Sequence, residues 1–301
     1  MKTSLITSIY GRPGTIRPIE ELIPAVAETG IDAIEVFAER NLGPKVRHAG
    51  LDIPDEQIRR TKALCDEYGL GVSAISAHFP LISEDPALRA EYIAEYKKCI
   101  DQAVVLGASF VHGFSGDPDA RNKMVRDEAT VWRILRQGCI EVLDYAREKK
   151  IAFGMEAVVN HLVHGLESCE RMFELVNRDD LYVNYDPSHF YLSGRATDPI
   201  TFIQRHGRRI RHVHVHDAFG AGSFNWQEYT KTLEPTWSNF KAPGMGEIDL
   251  KAIIEELKRI GYDAYLSIEH VGSGYEIIDY VAWHYHRMMK QYLQGENGSC
   301  R

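Results

Sequence analysis

Short runs of apolar, strand-favouring residues alternate along the 301 residues with longer segments in which apolar positions recur every three to four residues, and the alternation repeats eight times. The short runs are Leu5–Ile9, Ala33–Phe37, Val72–His78, Phe110–Gly113, Ala152–Glu156, Tyr182–Asp186, Ile210–Val215 and Ala264–Glu269. The longer, helix-patterned segments are Ile19–Thr29, Asp55–Tyr68, Pro86–Leu106, Val125–Lys149, Ser168–Val176, Pro199–His206, Leu250–Ile260 and Tyr275–Tyr292. Three of them run into Gly30, Gly69 and Gly261, and a glycine just past a helix supplies the left-handed residue that ends it.

Regular alternation of strand and helix predicts parallel strands joined by crossover helices. Two closures satisfy that order, an open doubly wound sheet and a closed barrel. The first strand-to-helix turn reads YGRPGTI at positions 10–16, without the G-x-G-x-x-G of a dinucleotide-binding sheet. Eight units in this length predict an α/β fold of the (β/α)8 TIM barrel type, a single domain over residues 1–294 with a polar tail at 295–301. An insertion at about 219–246 carries Phe224, Trp226, Tyr229 and Trp237, and a loop so rich in aromatics is expected to lie over the barrel mouth as a lid.

Composition narrows the function. With 44% hydrophobic and 26% charged residues the chain is an ordinary globular protein, and its net charge of −8 with no Lys/Arg run argues against nucleic acid or a membrane surface as partner. The five cysteines are scattered without a C-x-x-C pair, so they predict reduced thiols rather than a disulfide framework. The opening MKTSLITSIYG runs into a strand pattern without the apolar core of a signal peptide, and no stretch reaches the roughly 18 apolar residues of a membrane span. The expected compartment is the cytoplasm.

The chemistry of a barrel of this kind collects at the C-terminal ends of the strands. Reading only those ends gives His78, His112, Glu156, Asp186 with His189 after it, His212, His214, His216 with Asp217, and Glu269 with His270, so that seven of the thirteen histidines fall there. Carboxylates gathered in a barrel mouth lose hydration and repel one another, and a divalent cation is the simplest counter-charge. Oxygen donors with one imidazole suit Mn, Mg, Co or Zn. Asp186, standing before Pro187, has a second reading as the cap of the following turn. Alternation puts His212, His214 and His216 on one face of their strand, the first and third roughly 13 Å apart, so at most one of them joins a shared ion.

These residues resemble the xylose isomerase-like barrel superfamily of sugar phosphate isomerases and epimerases, which also includes endonuclease IV. The matching stretches are GMEAVVN (154–160), YDPSH (185–189), HVHVHDA (212–218), GMGEIDL (244–250) and GYDAYLSIEH (261–270), with GIDAIEVF (30–37) extending the likeness toward the N-terminus. The resemblance implies one divalent metal held by Glu156, Asp186, His214 and Glu269. It also implies that His189 contacts substrate or a second metal, and His78, His112 and His216 are expected as further substrate-facing donors. A dimer or tetramer is expected on the same ground. The family's sugar 3-epimerases carry an Arg shortly after the metal-binding His, where this chain has Ala218, Phe219 and Gly220. Endonuclease IV needs an Asp-x-His that positions 239–244 lack.

The expected activity is isomerisation or epimerisation of a small polyhydroxylated substrate through a metal-stabilised enediolate, with Glu156 and Glu269 as acid and base on strands facing each other across the mouth. The alternative is a lyase that begins with the same proton abstraction and ends in β-elimination, as a dehydratase or in cleaving a 3-keto glycoside or C-glycoside. Trp226 would then meet a flat aglycone. A sugar-binding protein without catalysis is the remaining reading, and two paired glutamates exceed what binding alone requires.

Overall fold

A computed structural model of the chain describes residues 1–12, 15–39, 47–116, 127–232, 237–269 and 278–294. Eight parallel strands close into a barrel. They are β1 (Lys2–Ile6), β2 (Ala33–Glu39), β3 (Gly71–His78), β4 (Phe110–Phe114), β5 (Ala152–Glu156), β6 (Leu181–Tyr185), β7 (Ile210–Val215) and β8 (Tyr265–Ile268). Each pairs with its sequence neighbours. The ring closes where β1 pairs with β8 from Lys2↔Tyr265 to Leu5↔Ile268, while its other edge pairs with β2 from Ser4↔Ala33 to Ile6↔Glu35. The fold is the expected TIM barrel.

The helices are α1 (Ile19–Glu28), α2 (Asp55–Glu67), α3 (Pro86–Leu106), α4 (Glu128–Glu148), α5 (Leu166–Val176), α6 (Pro187–Ser193), α7 (Asp198–His206), α8 (Trp226–Thr232), α9 (Leu250–Arg259) and α10 (Ile278–Gln294). Their ends follow local chemistry. Asp85 caps α3 by accepting from the Ala87 N–H at 3.0 Å, ahead of Pro86, whose missing N–H costs nothing in a first turn. Asp127 and Asp249 cap α4 and α9 in the same way, through the N–H groups of Thr130 at 3.0 Å and Ala252 at 2.9 Å. Gly30, Gly69 and Gly261 adopt φ of 83°, 70° and 76°, the left-handed stops that the sequence predicts.

Two features depart from the sequence pattern. β1 begins and ends three residues early, because Thr7–Tyr10 turns into a 3-10 helix at the strand's C-terminal end. α6 and α8 were not anticipated, since each is a seven-residue element inside a loop, too short for a hydrophobic period to show. The expected tail at 295–301, the residues 275–277 of the last helix pattern, and His270 lie outside the described residues.

The chain between β7 and α9 is pinned by one carboxylate. Asp217 pairs as a short antiparallel ladder with Lys241, as Ala218 does with Phe240. Its buried side chain accepts from the N–H groups of Ala218 (2.8 Å), Gly244 (3.0 Å), Gly246 (2.8 Å) and Ile248 (3.1 Å). At Gly246 an added Cβ would fall onto Asp217 and the Ala218 carbonyl, so the close approach requires glycine. Among the described residues no helix is long and apolar enough to cross a membrane.

Apolar residues fill the layer between strands and helices, Val213 and Val215 among them, while the barrel's lumen is polar. At its floor Ser4 and Ser73 join hydroxyls at 2.7 Å, and His212 bridges from Ser73 (3.3 Å) to the Asn184 amide oxygen (2.9 Å). A second layer above this holds Glu35, His112 and His214. The candidate centre is the layer above that.

Candidate metal centre

The C-terminal ends of β5, β6 and β8 and the turns after them bring three carboxylates together. Glu156, Asp186, Glu269 and His189 each offer one donor atom, all within 4.8 Å of one another, and the groups are buried or nearly so. His214 enters from β7, next to β8, where it pairs with Ser267. Its Nδ1 lies 2.9 Å from Glu156 Oε1 and 2.9 Å from Glu269 Oε2, and its Nε2 lies 2.9 Å from Glu35 Oε1. His214 thus belongs to two layers, one through each ring nitrogen. Glu156 and Glu269 are not on opposite sides of the barrel as expected: β6 and β7 alone separate their strands, and the two carboxylates meet over His214 because that residue lies between them.

Asp186 caps the following turn, as one of its two sequence readings expects. Its Oδ1 caps α6, accepting from the Ser188 N–H at 2.7 Å and the Ser188 hydroxyl at 2.6 Å. Its Oδ2 is buried, has no well-aligned hydrogen bond among the described residues, and lies 3.4 Å from His216 Nδ1 and 3.7 Å from His189 Nε2. One oxygen folds the chain, and the other is left for the centre.

The tautomers of the two central histidines follow from their partners. The Val159 N–H donates to His189 Nδ1 at 3.2 Å, so in the neutral ring Nε2 carries the hydrogen and points at Asp186 and Glu156 as a donor. An N–H is no ligand for a cation. His214 also carries a hydrogen on Nε2 but is turned the other way, because Glu35 takes that hydrogen and Nδ1 faces the carboxylates. Proximity alone groups His189 with the three carboxylates, and hydrogen bonding instead selects His214.

The electrostatics say what the arrangement wants. Burial opposes charge on every group here. For Asp186 the nearby His189 and His216 outweigh it, and for Glu269 His214 does, so both carboxyls are held below their ordinary range. Glu35 is likewise held well below its own by His214 and His212 against the cost of burial. His214 in turn is raised well above an ordinary imidazole, burial being overcome by Glu35, Glu156 and Glu269. One proton on His214 Nδ1 is a small counter-charge for a buried cluster of carboxylates. A divalent cation brings twice that charge, and the unsatisfied Asp186 Oδ2 gives it an oxygen ligand, so the residues present fit the metal.

The remaining histidines line or underlie this layer. His78, at the end of β3, contacts the Ser76 hydroxyl at 2.7 Å and packs edge-on to Phe37 (5.0 Å between ring centres). Burial lowers its pKa, but Glu39, Glu156 and Glu269 more than compensate, and it is raised. His216 stacks on Phe240 at 4.6 Å, and Phe240 also meets the edge of His189. His112 lies lower, fully buried, with Nε2 2.7 Å from Glu35 Oε1 and Nδ1 3.8 Å from Glu156 Oε2. Trp226 lies flat on His164 at 5.2 Å, joining the insertion to the loop after β5. The side chain of Trp237 is outside the described residues.

Three residues that the sequence reading passed over belong to this neighbourhood. Glu35 is the buried carboxylate under His214. Asn160, at φ 72°, and His161 follow Glu156 by a few residues, and both are buried with side-chain polar atoms that have no hydrogen-bond partner among the described residues. His161 packs against Phe114 at 4.4 Å, beside His78. A lone glutamate in the apolar run AIEVF was the available signal for Glu35, since alternation with its buried neighbours turns it into the lumen.

Comparison with known proteins agrees with this architecture. The fructoselysine 3-epimerase of Shigella flexneri is 21% identical over 290 residues, 90% of each chain. The inosose dehydratase of Lacticaseibacillus casei is 29% identical over 144 residues, 46% of each, so the chain spans about half the length of the inosose dehydratases it matches. Among solved structures, the IOLI protein with a bound zinc atom superposes over 100% of both chains with a TM-score of 0.73 at 19% identity, a likeness of fold. The sequence profile described as xylose isomerase-like TIM barrel matches residues 23–286, from α1 into α10 and across every strand that contributes a residue to the centre. On that match, and on a closed eight-stranded barrel with its carboxylates at the strand ends, the chain belongs to the xylose isomerase-like TIM barrel family.

Proposed function

We propose that the chain is a divalent-metal-dependent isomerase or epimerase of a small sugar or keto-sugar, with Glu156, Asp186, His214 and Glu269 holding the metal. The observation that carries this reading is the pair of glutamates meeting at His214 Nδ1, each at 2.9 Å, beside the unsatisfied Asp186 Oδ2. The cation, when bound, supplies Lewis acidity to a carbonyl and the hydroxyl next to it, which acidifies the intervening C–H.

Glu156 and Glu269 act as the proton-transfer pair. One carboxylate takes the proton from the carbon beside the carbonyl, and the other returns a proton to the opposite face, which inverts that carbon. Inversion needs two groups held apart and fixed, and the separate strands β5 and β8 give that rigidity. His189, with Nδ1 occupied by the Val159 N–H, directs its Nε2–H at the oxygen on which charge develops. His78 and His216 border the same layer and donate to substrate hydroxyls. Phe37, Phe114 and Phe240 exclude water around them. His112 and Trp226 act further from the reacting carbon.

A second reading, β-elimination, is favoured by the likeness to inosose dehydratases and by the absence of an Arg at positions 218–220. The first proton abstraction is shared. The electron pair then expels a hydroxide or aglycone from the β-carbon, protonated as it leaves, and a double bond forms beside the carbonyl.

One experiment tests both. Manganese-loaded protein is incubated in D2O with ketoses, inososes and 3-keto glycosides, and products are followed by NMR. Deuterium entering the carbon beside the carbonyl without loss of a leaving group supports the isomerase. Release of water or aglycone assigns the lyase. A cation-loaded protein that exchanges no C–H in any of these substrates would overturn both.

A further inference from the structure

We propose that Glu35 is the positioning residue of the centre, the group that fixes His214 as an Nδ1 ligand. The inference rests on the metal reading above and adds to it a residue one layer below the ligands.

Glu35 is in the middle of β2 and has no exposed surface. Its two oxygens face only imidazoles among the polar side chains they contact. Oε1 lies 2.7 Å from His112 Nε2 and 2.9 Å from His214 Nε2, and Oε2 lies 3.1 Å from His214 Nε2 and 3.7 Å from His212 Nε2. An ionised carboxylate accepts and cannot donate, so the ring nitrogens of His112 and His214 within hydrogen-bond reach are the N–H groups. Nε2 of each ring is thus committed to Glu35 and Nδ1 is left to face up at Glu156: that of His214 from 2.9 Å, that of His112 from 3.8 Å with no hydrogen-bond partner of its own among the described residues.

Either a proton on Nδ1 or a cation in its place must stand between the His214 ring and the two glutamates. Because Glu35 holds the Nε2–H, Nδ1 is the nitrogen at which a cation replaces a proton, and the ring binds through that atom. The negative charge of Glu35 also increases the basicity of the ring as a ligand, the usual effect of a carboxylate behind a metal-bound histidine. His189 carries its hydrogen on Nε2 as well, but its Nδ1 is taken by a backbone N–H, so it turns the N–H rather than the other nitrogen toward the centre.

The test is a manganese titration, with free ion followed by electron paramagnetic resonance, of wild type, Glu35→Gln and Asp186→Asn. Glutamine keeps the volume of Glu35 but offers one acceptor oxygen to two N–H groups. Expected is a 10- to 100-fold weaker affinity in Glu35→Gln, and loss of binding in Asp186→Asn. A purely structural role would leave the tautomer alone, so it is read directly. Long-range 15N–1H spectra of zinc-loaded wild type, assigned with His214→Gln, are expected to show His214 protonated at Nε2 and bare of hydrogen at Nδ1. In Glu35→Gln that pattern is expected to shift or split. Equal manganese affinity in Glu35→Gln, or a hydrogen on Nδ1 in wild type, overturns the role of Glu35 and leaves the metal centre standing. Wild type that binds no manganese overturns the centre and this inference with it. If Glu35→Gln does not fold, the wild-type spectrum decides.

Discussion

Side chains in this protein do two jobs by splitting their atoms between layers. Asp186 caps a helix with one oxygen and serves the centre with the other, and His214 faces Glu35 with one nitrogen and the glutamate pair with the other. Removing a proton carrier while keeping its shape separates binding from turnover. Glu156→Gln and Glu269→Gln are each expected to lower kcat by about 10²- to 10⁴-fold, with manganese still bound, as checked by metal analysis alongside steady-state rates.

A histidine away from the centre contributes to the acid sensitivity of the fold. His48 is buried, with Nε2–H donated to the Arg17 carbonyl at 3.0 Å and Nδ1 accepting from the Thr7 hydroxyl at 2.9 Å. Burial, only partly offset by the Arg17 carbonyl, brings its pKa from 6.5 down to about 4. The folded state therefore binds the proton less readily than the unfolded chain. The stabilisation is complete above pH 6.5 and drains away as the pH falls from there toward 4. The loss amounts to about 3 kcal/mol. Urea unfolding in EDTA between pH 7 and 4 is expected to show a steeper decline for wild type than for His48→Gln.

Among the elements, the segment between β7 and α9 depends most on a single residue. Asp217 receives four backbone N–H groups, and these hold the turn 244–248 against the end of β7. In Asp217→Asn one of its oxygens becomes an NH2 facing donors. Two charge-assisted hydrogen bonds at roughly 1.5–3 kcal/mol each are lost or weakened. A lower urea midpoint and faster proteolysis within 219–246 are expected, and an unchanged cleavage pattern would show that the ladder to Phe240 and Lys241 holds the segment without Asp217. The histidine run reads differently once the elements are placed. His212 belongs to the floor, His214 to the centre and His216 to the rim against Phe240, one strand serving three layers.

For the whole molecule, a cluster of buried carboxylates is a standing electrostatic cost that a bound cation removes. A ligand that binds only the folded state raises stability by RT ln(1 + [L]/Kd), about 2.7 kcal/mol at a hundredfold excess over Kd. Manganese is therefore expected to raise the thermal midpoint of wild type and leave that of Asp186→Asn unchanged. Calorimetry with EDTA as the reference checks it. A midpoint indifferent to any divalent ion would count against the centre as drawn.

Much of this was legible in the residues themselves. Period-two and period-3.6 patterning, left-handed glycines after helices and aspartates before them specify eight strand–helix units, because these signals act over a few residues and need no distant partner. The placing of Glu156, Asp186, His214 and Glu269 at strand ends was legible too, since a barrel turns strand ends into one rim. What the tertiary structure alone decided is which atoms meet. Asn160, His161 and the imidazoles that Glu35 meets came into view only when strands distant in sequence closed on one another, and so did the ring orientations of His189 and His214. A ring nitrogen's role depends on the partner its other nitrogen finds, and that partner is tens or hundreds of residues away along the chain.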